Sequence, residues 1–356
     1  MLTNFGFYHD RRFVLLQPDE ANPDKWKHMA VSQISQMVLF HTSISDDTVT
    51  ITYRPPGSDA ASPDTLEIPL EPENLDKLQK VDVNMHFSPT QGFDMGEKYS
   101  KWFSERFGFK VILAYWGNNP RLVLGNLPNR PNQGPRPKNV ITKVMASIPV
   151  IGPMLEEEDE VIAFNDCAPY LVATEPSLAD VSKRLPEGVD ADITKFRANI
   201  LLKTSDPAWA EDFWGELTFG DEGAKILLTG NCGRCKSLNV DYNTGESGTG
   251  RDGEMLKLLQ KDRRVDQGVK YSPIFGRYGF ASKGSEGMVL RVGDEVRLSK
   301  KNEERTRFCE FFLRGRGKML ILNRLAWNFD IVSFASQMFH TERLRAGWRD
   351  FAADLE

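Results

Sequence analysis

The chain has 356 residues, 45 Lys and Arg against 50 Asp and Glu, and a formal net charge of −5, with 40% hydrophobic and 27% charged residues. This is ordinary globular composition with length for about two domains, and it lacks the basic stripe of a general nucleic-acid binder, so any anion site must be a local arginine cluster. Four cysteines are too few for a disulfide framework, no signal peptide follows Met1, and the smoothest apolar stretch, 144–155, is too short to span a bilayer, so the chain reads as intracellular and soluble.

From Arg12 to about Pro72 the pattern is strand-like. Phe13–Leu16, Gln36–Phe40, Val49–Tyr53 and Leu66–Leu70 are short, β-branched or alternating, and parted by Asp/Pro/Gly/Ser clusters, as in a small barrel or a strongly bent sheet. Asp94 to Phe107 predicts a helix, with Asp94 and Glu97 spaced as a capping box and Gly108 at the C-terminal cap. Its stripe of Met95, Tyr99, Trp102, Phe103 and Phe107 is a packing face. The proline-rich run 118–137 reads as a linker or long loop, and the acidic run Glu156 to Glu160 as a solvated loop.

A second β-rich region follows. Val161–Phe164 and Tyr170–Ala173 flank Asp166-Cys167-Ala168-Pro169, and a short helix with Ser177 and Asp180 as weak start signals comes next. Further strands are expected at Ala198–Leu202, Glu216–Phe219, Ala224–Leu228, Lys236–Val240, Met288–Arg291 and Glu295–Leu298, with a helix over Leu256–Arg264. Leu344, Trp348, Phe351 and Leu355 mark an amphipathic helix in the tail.

Two segments carry chemistry: Phe196-Arg197-Ala198-Asn199 and Asn231-Cys232-Gly233-Arg234-Cys235-Lys236. A thiolate suits a soft metal, while guanidinium and carboxamide groups grip phosphate and ring edges. The C-x-x-C of Cys232 and Cys235 also raises structural zinc and dithiol redox. Zinc needs a second ligand pair, which the five histidines do not supply at the usual spacing, and a thioredoxin-type motif opens a helix in a βαβ unit, whereas a strand and turn are expected here. Gly245 to Asp252 nearly spells a P-loop, but Arg251 and Asp252 stand where Lys and Ser/Thr are required, so it reads as a loop.

With that spacing the chain resembles the MOSC-domain molybdenum-cofactor proteins, and most of all those of the amidoxime-reducing type. The resemblance covers roughly Phe5 to Lys301. It implies a mostly β fold with short helices (α+β): a MOSC-type N-terminal β-barrel domain over 1–117, a linker over 118–160, a MOSC β-barrel domain over 161–301 and a C-terminal extension over 302–356. By resemblance Cys235 is the catalytic thiolate and the ligand of molybdenum. Arg11, Asp166, Cys167, Arg197, Asn199, Gly233, Arg234 and Tyr278 are the implied cofactor-binding residues. A thiolate beside Arg234 is expected to have a lowered pKa.

The family pattern begins with a strand bearing Pro-x-Lys-Ser and, in full-length relatives, an anchor at the mitochondrial outer membrane. This sequence starts after both, so its first barrel is expected to be incomplete. The implied activity is reduction of N-hydroxylated compounds such as amidoximes, hydroxylamines and N-oxides by a molybdenum-pterin cofactor. The implied electron donor is a cytochrome b5-type haem protein with its NADH-dependent reductase. Two alternatives stay open: a sulfur-handling module like the MOSC domains of pyridoxal-phosphate-dependent cofactor sulfurases, and a cofactor-free interaction protein.

Overall fold

The computed structural model describes residues 1–128, 160–250, 252–308, 314–315 and 318–319. The fold is mostly β with three short α-helices among the described residues, as the sequence predicts. In chain order, a small hairpin (β1 Leu2–Thr3, β2 Gly6–Phe7) precedes β3 (Phe13–Asp19) and β4 (Asn22–His28). Then come β5 (Phe40–Ser45), β6 (Thr48–Tyr53), β7 (Asp64–Pro69), β8 (Lys80–Met85), β9 (Ser88–Asp94), helix α1 (Glu97–Phe107) and β10 (Ile112–Tyr115). The second half holds β11 (Arg121–Leu122), β12 (Val161–Ile162), β13 (Tyr170–Thr174), α2 (Glu175–Ser182), β14 (Ile200–Leu202), β15 (Trp214–Phe219), β16 (Ala224–Gly233), α3 (Met255–Gln260), β17 (Ile274–Ala281) and β18 (Val296–Lys301).

A five-stranded sheet runs in the order β4-β3-β10-β9-β8. It curls until its edge strands meet, with His28 Nδ1 on β4 3.1 Å from the Asn84 carbonyl on β8. Strand β3 is buried on both faces. Phe13 and Leu15 join a core under β5, β6, β7 and α1, while Val14 and Leu16 face a second core that Phe164 enters from the other half of the chain. That two-sided burial explains why Phe13–Leu16 reads as a continuous apolar run rather than an alternating one.

The six-stranded sheet has the order β14-β13-β17-β16-β15-β18, antiparallel except for the β13–β14 pair. Leu171 and Ala173 point to one core and Tyr170 and Val172 to the other. The halves interlock: the Tyr170 hydroxyl donates to the carbonyls of Thr3 (2.7 Å) and Gly6 (2.9 Å), and Val240 and Tyr242 pack on the core of the first half.

Several expected elements change type. Ser35–Leu39 is a 3-10 turn, and only Phe40 of the expected Gln36–Phe40 strand is extended. Lys236–Asn239 is likewise a 3-10 turn, and Met288–Arg291 forms no strand. Helix α1 begins at Glu97, and its capping residue is Gly96 without a side-chain cap; Asp94 Oδ1 instead accepts the Gly96 N–H at 2.8 Å. Gly108 does close the helix in the left-handed region, and the aromatic stripe packs inward. Helix α2 is capped by Thr174, one turn before the expected signals.

The proline-rich stretch is not all loop: Arg121–Leu122 pairs with Val161–Ile162. Residues 129–137 of that stretch, most of the acidic run and the expected tail helix lie outside the described residues. Sequence reading missed β4, β8, β9 and β10 in the first half, and in the second it missed β17, which is central to its sheet. Two glycines and Arg277 dilute its apolar pattern, yet Gly276 is required there. It has φ +82°, and a Cβ would lie 2.9 Å from the Val172 carbonyl oxygen.

Candidate functional site

The end of β16 positions the cysteine segment. Two register shifts against β17, between Leu228 and Gly230 and between Asn231 and Gly233, bend the strand and re-aim the side chains beyond them. Gly233 lets this segment pass close to Ser272, whose Cβ would be 3.3 Å from an added Cβ. The Arg234 N–H then donates to the Pro273 carbonyl (2.8 Å), and Cys235, half-buried, precedes the following 3-10 turn without a side-chain cap, its Sγ 3.1 Å from Ser237 Oγ.

The Arg234 guanidinium turns toward the other cysteine. Its Nη1 donates to Cys232 Sγ at 3.0 Å and its Nη2 to the Lys195 carbonyl at 3.4 Å, while Phe196 lies under it at 5.6 Å and stacks in turn on Phe275. Direct contact of the guanidinium thus goes to Cys232, while the Cys235 sulfur acts on it through charge. Burial works against ionisation of Arg234, but the sulfurs of Cys232 and Cys235 and the Tyr278 oxygen outweigh it and raise its pKa.

Arg197 and Arg11 reach the same region from distant parts of the chain. Arg197 ends a 3-10 turn started by Asp192, whose carboxylate accepts the Thr194 N–H (2.9 Å). Both arginines are left-handed, with φ 56° for Arg197 and 54° for Arg11, a conformation costly for any side chain with a Cβ. Such strain collects where function over-determines the backbone.

Burial, and then the nearby Arg11 charge, push Arg197 down to about 10; Arg234 acts in the same direction. Asp10, almost fully buried, sits between them with Oδ2 3.7 Å from Arg11 Nε. Burial raises its pKa, against the pull of Arg11, Arg197 and Asn199.

Asn199 is largely committed to the scaffold. Its Oδ1 accepts the Leu171 N–H (2.8 Å) and its Nδ2 donates to Asp10 (3.0 Å), which leaves one N–H for any ligand. Asp166 and Cys167 do line up with Tyr278: the Asp166 carboxylate accepts a short bond from the Tyr278 hydroxyl and one from the Cys167 thiol at 3.2 Å. Burial first and the Asp166 charge second raise the pKa of both donors well above normal, so both stay protonated.

Four contributors went unread in the sequence because no local signal marks them. Arg121 holds the Asp166 loop from behind, Asp10 orients Asn199, Lys195 is buried beside Arg197, and Tyr242 lies on the turn after Cys235. The result is a site in which Arg197 feels the charges of Arg11 and Arg234, and Arg234 that of the half-buried Cys235 sulfur. Two donors there, Arg234 Nε and the Tyr242 hydroxyl, are buried without a hydrogen-bond partner. A bound anion would pair both, so the residues present fit an anionic ligand. Among the described residues no group of three or more His, Cys, Asp or Glu side chains converges, so a metal at Cys235 must draw its remaining ligands from a cofactor.

The family model for the MOSC domain matches residues 159–297, which include all these site residues except Asp10, Arg11 and Arg121. Mitochondrial amidoxime-reducing component 1 of Mus musculus is 30% identical over 299 residues, 84% of this chain and 74% of its own length. The Homo sapiens component 1 is 28% identical over 292 residues (81% and 72%), and the Bos taurus component 2 is 31% identical over 294 (82% and 73%). The chain belongs to the mitochondrial amidoxime-reducing component family of MOSC-domain proteins.

Proposed function

We propose that the protein binds the molybdenum cofactor and with it reduces N-hydroxylated compounds: amidoximes, hydroxylamines and N-oxides. The observation that carries this reading is the convergence of Arg11, Arg197 and Arg234 beside Cys235, with two orphaned donors in the same place. Cys235 would supply the thiolate to the metal, Arg11 and Arg197 would hold the pterin phosphate, and the Gly233–Arg234 segment would lie along the pterin. The bound group supplies two-electron oxygen-removing chemistry.

The chain's own part is binding and positioning. Asp166 fixes the Tyr278 and Cys167 protons, and the Phe196 ring, backed by Phe275, packs beside the Arg234 guanidinium. Each turnover consumes two electrons and two protons and releases water. The electron donor in this reading is a cytochrome b5-type haem protein supplied by its NADH-dependent reductase, as the family resemblance of the sequence implies.

Expression in a host able to make the cofactor tests the proposal. Purified protein should carry stoichiometric molybdenum and pterin and convert an amidoxime to its amidine with a reduced viologen as donor. Cys235→Ser should lose both metal and turnover with an unchanged circular-dichroism spectrum, because oxygen is a poorer soft-metal ligand. Cys232→Ser should be much milder. Zinc without molybdenum in the wild-type protein refutes the proposal, and equal loss in both variants points to dithiol chemistry instead.

A further inference from the structure

We infer that the Tyr242 hydroxyl, backed by Lys195, is an anion-binding group of the pocket and takes the same phosphate-type ligand as Arg197 and Arg234. For the identity of that ligand, a phosphate monoester on a pterin, the inference rests on the function proposed above. The site itself stands on the geometry.

Tyr242 is held firmly. Its turn is closed by the Gly245 N–H on the Asp241 carbonyl (2.9 Å), the Asp241 N–H on the Glu246 carbonyl (2.9 Å) and the Asn243 N–H on Asp241 Oδ1 (2.8 Å). Gly245, at φ +70°, lets this turn press on Leu39 and Gln36 of the first half, where a Cβ would lie 3.0 Å from the Leu39 side chain. The Tyr242 ring packs on the first half's core, and Lys195 Nζ lies 5.9 Å from the ring centroid.

Packing accounts for the ring and leaves the hydroxyl unexplained. That oxygen is buried with no hydrogen-bond partner, a state that costs free energy unless a ligand relieves it. Its charged surroundings are Arg197, Arg234 and Cys235 from the pocket side and Asp192 from the neighbouring turn. The two guanidinium groups can only donate, so they offer no acceptor for the hydroxyl proton. A species that accepts from all three is an oxyanion. Arg234 Nε, also buried and unpaired, needs the same acceptor. Lys195 is 6% exposed, two residues before Arg197, and its own carbonyl takes Arg234 Nη2, so it adds buried positive charge to the corner.

Tyr242→Phe tests this, because it keeps the ring, its packing and the Lys195 contact and removes only the hydroxyl. Wild-type and Y242F holoprotein are dialysed side by side, and molybdenum and pterin content are followed with time, together with thermal midpoints. Loss of one hydrogen bond to a charged group should speed cofactor loss by about tenfold or more without lowering the midpoint of the apo chain. Lys195→Gln should also lose cofactor faster, with a weaker dependence on salt.

Cofactor retention in Y242F at the wild-type rate overturns the inference. So does a matching fall in apo-chain stability, which assigns the hydroxyl to the fold. Should the wild-type chain carry no pterin, the proposed function fails, and inorganic phosphate decides this inference instead. Phosphate should protect wild type from thermal unfolding more than Y242F, and equal protection overturns it.

Discussion

Arg121 ties the fold to the pocket, and replacing it should damage both. Its side chain is 1% exposed, and among the described residues no carboxylate forms an ion pair with it. Nε donates to the Ala163 carbonyl (3.1 Å), Nη1 to that of Met85 (3.1 Å), and Nη2 to those of Asn165 and Asp166, the latter at 3.2 Å. Burial pushes the guanidinium down to about 10, so it stays charged at neutral pH. Arg121→Met keeps the stem volume and strips these carbonyls of their donors. Four carbonyls at about 1–2 kcal/mol each, less the relief of no longer burying a cation, leave a loss of about 3–5 kcal/mol. Arg121→Lys should recover only part of this, because one ammonium cannot span the fan of acceptors that a planar guanidinium reaches. Urea unfolding followed by tryptophan fluorescence reads the loss, since Trp116 lies in the same buried core as Ala163 and Phe164. Pterin content should fall with it, because the loop bearing Asp166 and Cys167 loses its anchor. A methionine variant within about 1 kcal/mol of wild type would show that other contacts hold this loop, and the reasoning would be refuted.

Arg197→Ala and Arg11→Ala each remove a charge-assisted contact worth about 1.5–3 kcal/mol to a bound anion, so pterin retained after dialysis should drop in both. Full cofactor with lost turnover in both variants would place these arginines in the redox step instead. His28 and His86 stack edge to face at 5.1 Å, and burial holds each down to about 3 in the folded chain, with His86 acting on His28 and Arg121 on both. Because the folded pKa lies below the unfolded 6.5, the native state binds fewer protons. Stability is therefore complete above pH 6.5 and falls by roughly 1.4 kcal/mol per pH unit per histidine on acidification toward pH 3. His86→Gln should flatten that slope in urea titrations across the window, and an unchanged slope would show that the carboxylates dominate acid unfolding.

Local sequence carried the parts of this protein that depend on local physics. The one-sided aromatic stripe of α1 and its Gly108 cap, the apolar run of β3 and the alternation of β6 follow from side-chain period and turn chemistry, which neighbouring residues determine by themselves. Cys235, Arg197 and their spacing were legible for a different reason: a soft ligand beside anion-gripping groups is a chemical pattern before it is a structural one. Where the two signals parted, sequence reading failed. Gln36–Phe40 and Lys236–Val240 look like strands by composition, but each chain segment must turn there to enter or leave a sheet, and a 3-10 turn results. Strand β17 was hidden because its glycines and Arg277 answer to neighbours in space: Gly276 to the Val172 carbonyl, and Arg277 to Asn231, Thr306 and the Trp214 and Leu228 carbonyls. The same holds for Asp10, Arg121, Lys195 and Tyr242, ordinary polar residues on their own segments. Only the order of strands in the two sheets, and the docking of the Val240–Gly245 turn on the first half's core, bring Arg11, Arg197 and Arg234 together around the thiol. That order is set by which apolar faces can be buried at once across the whole chain, a condition no single segment contains.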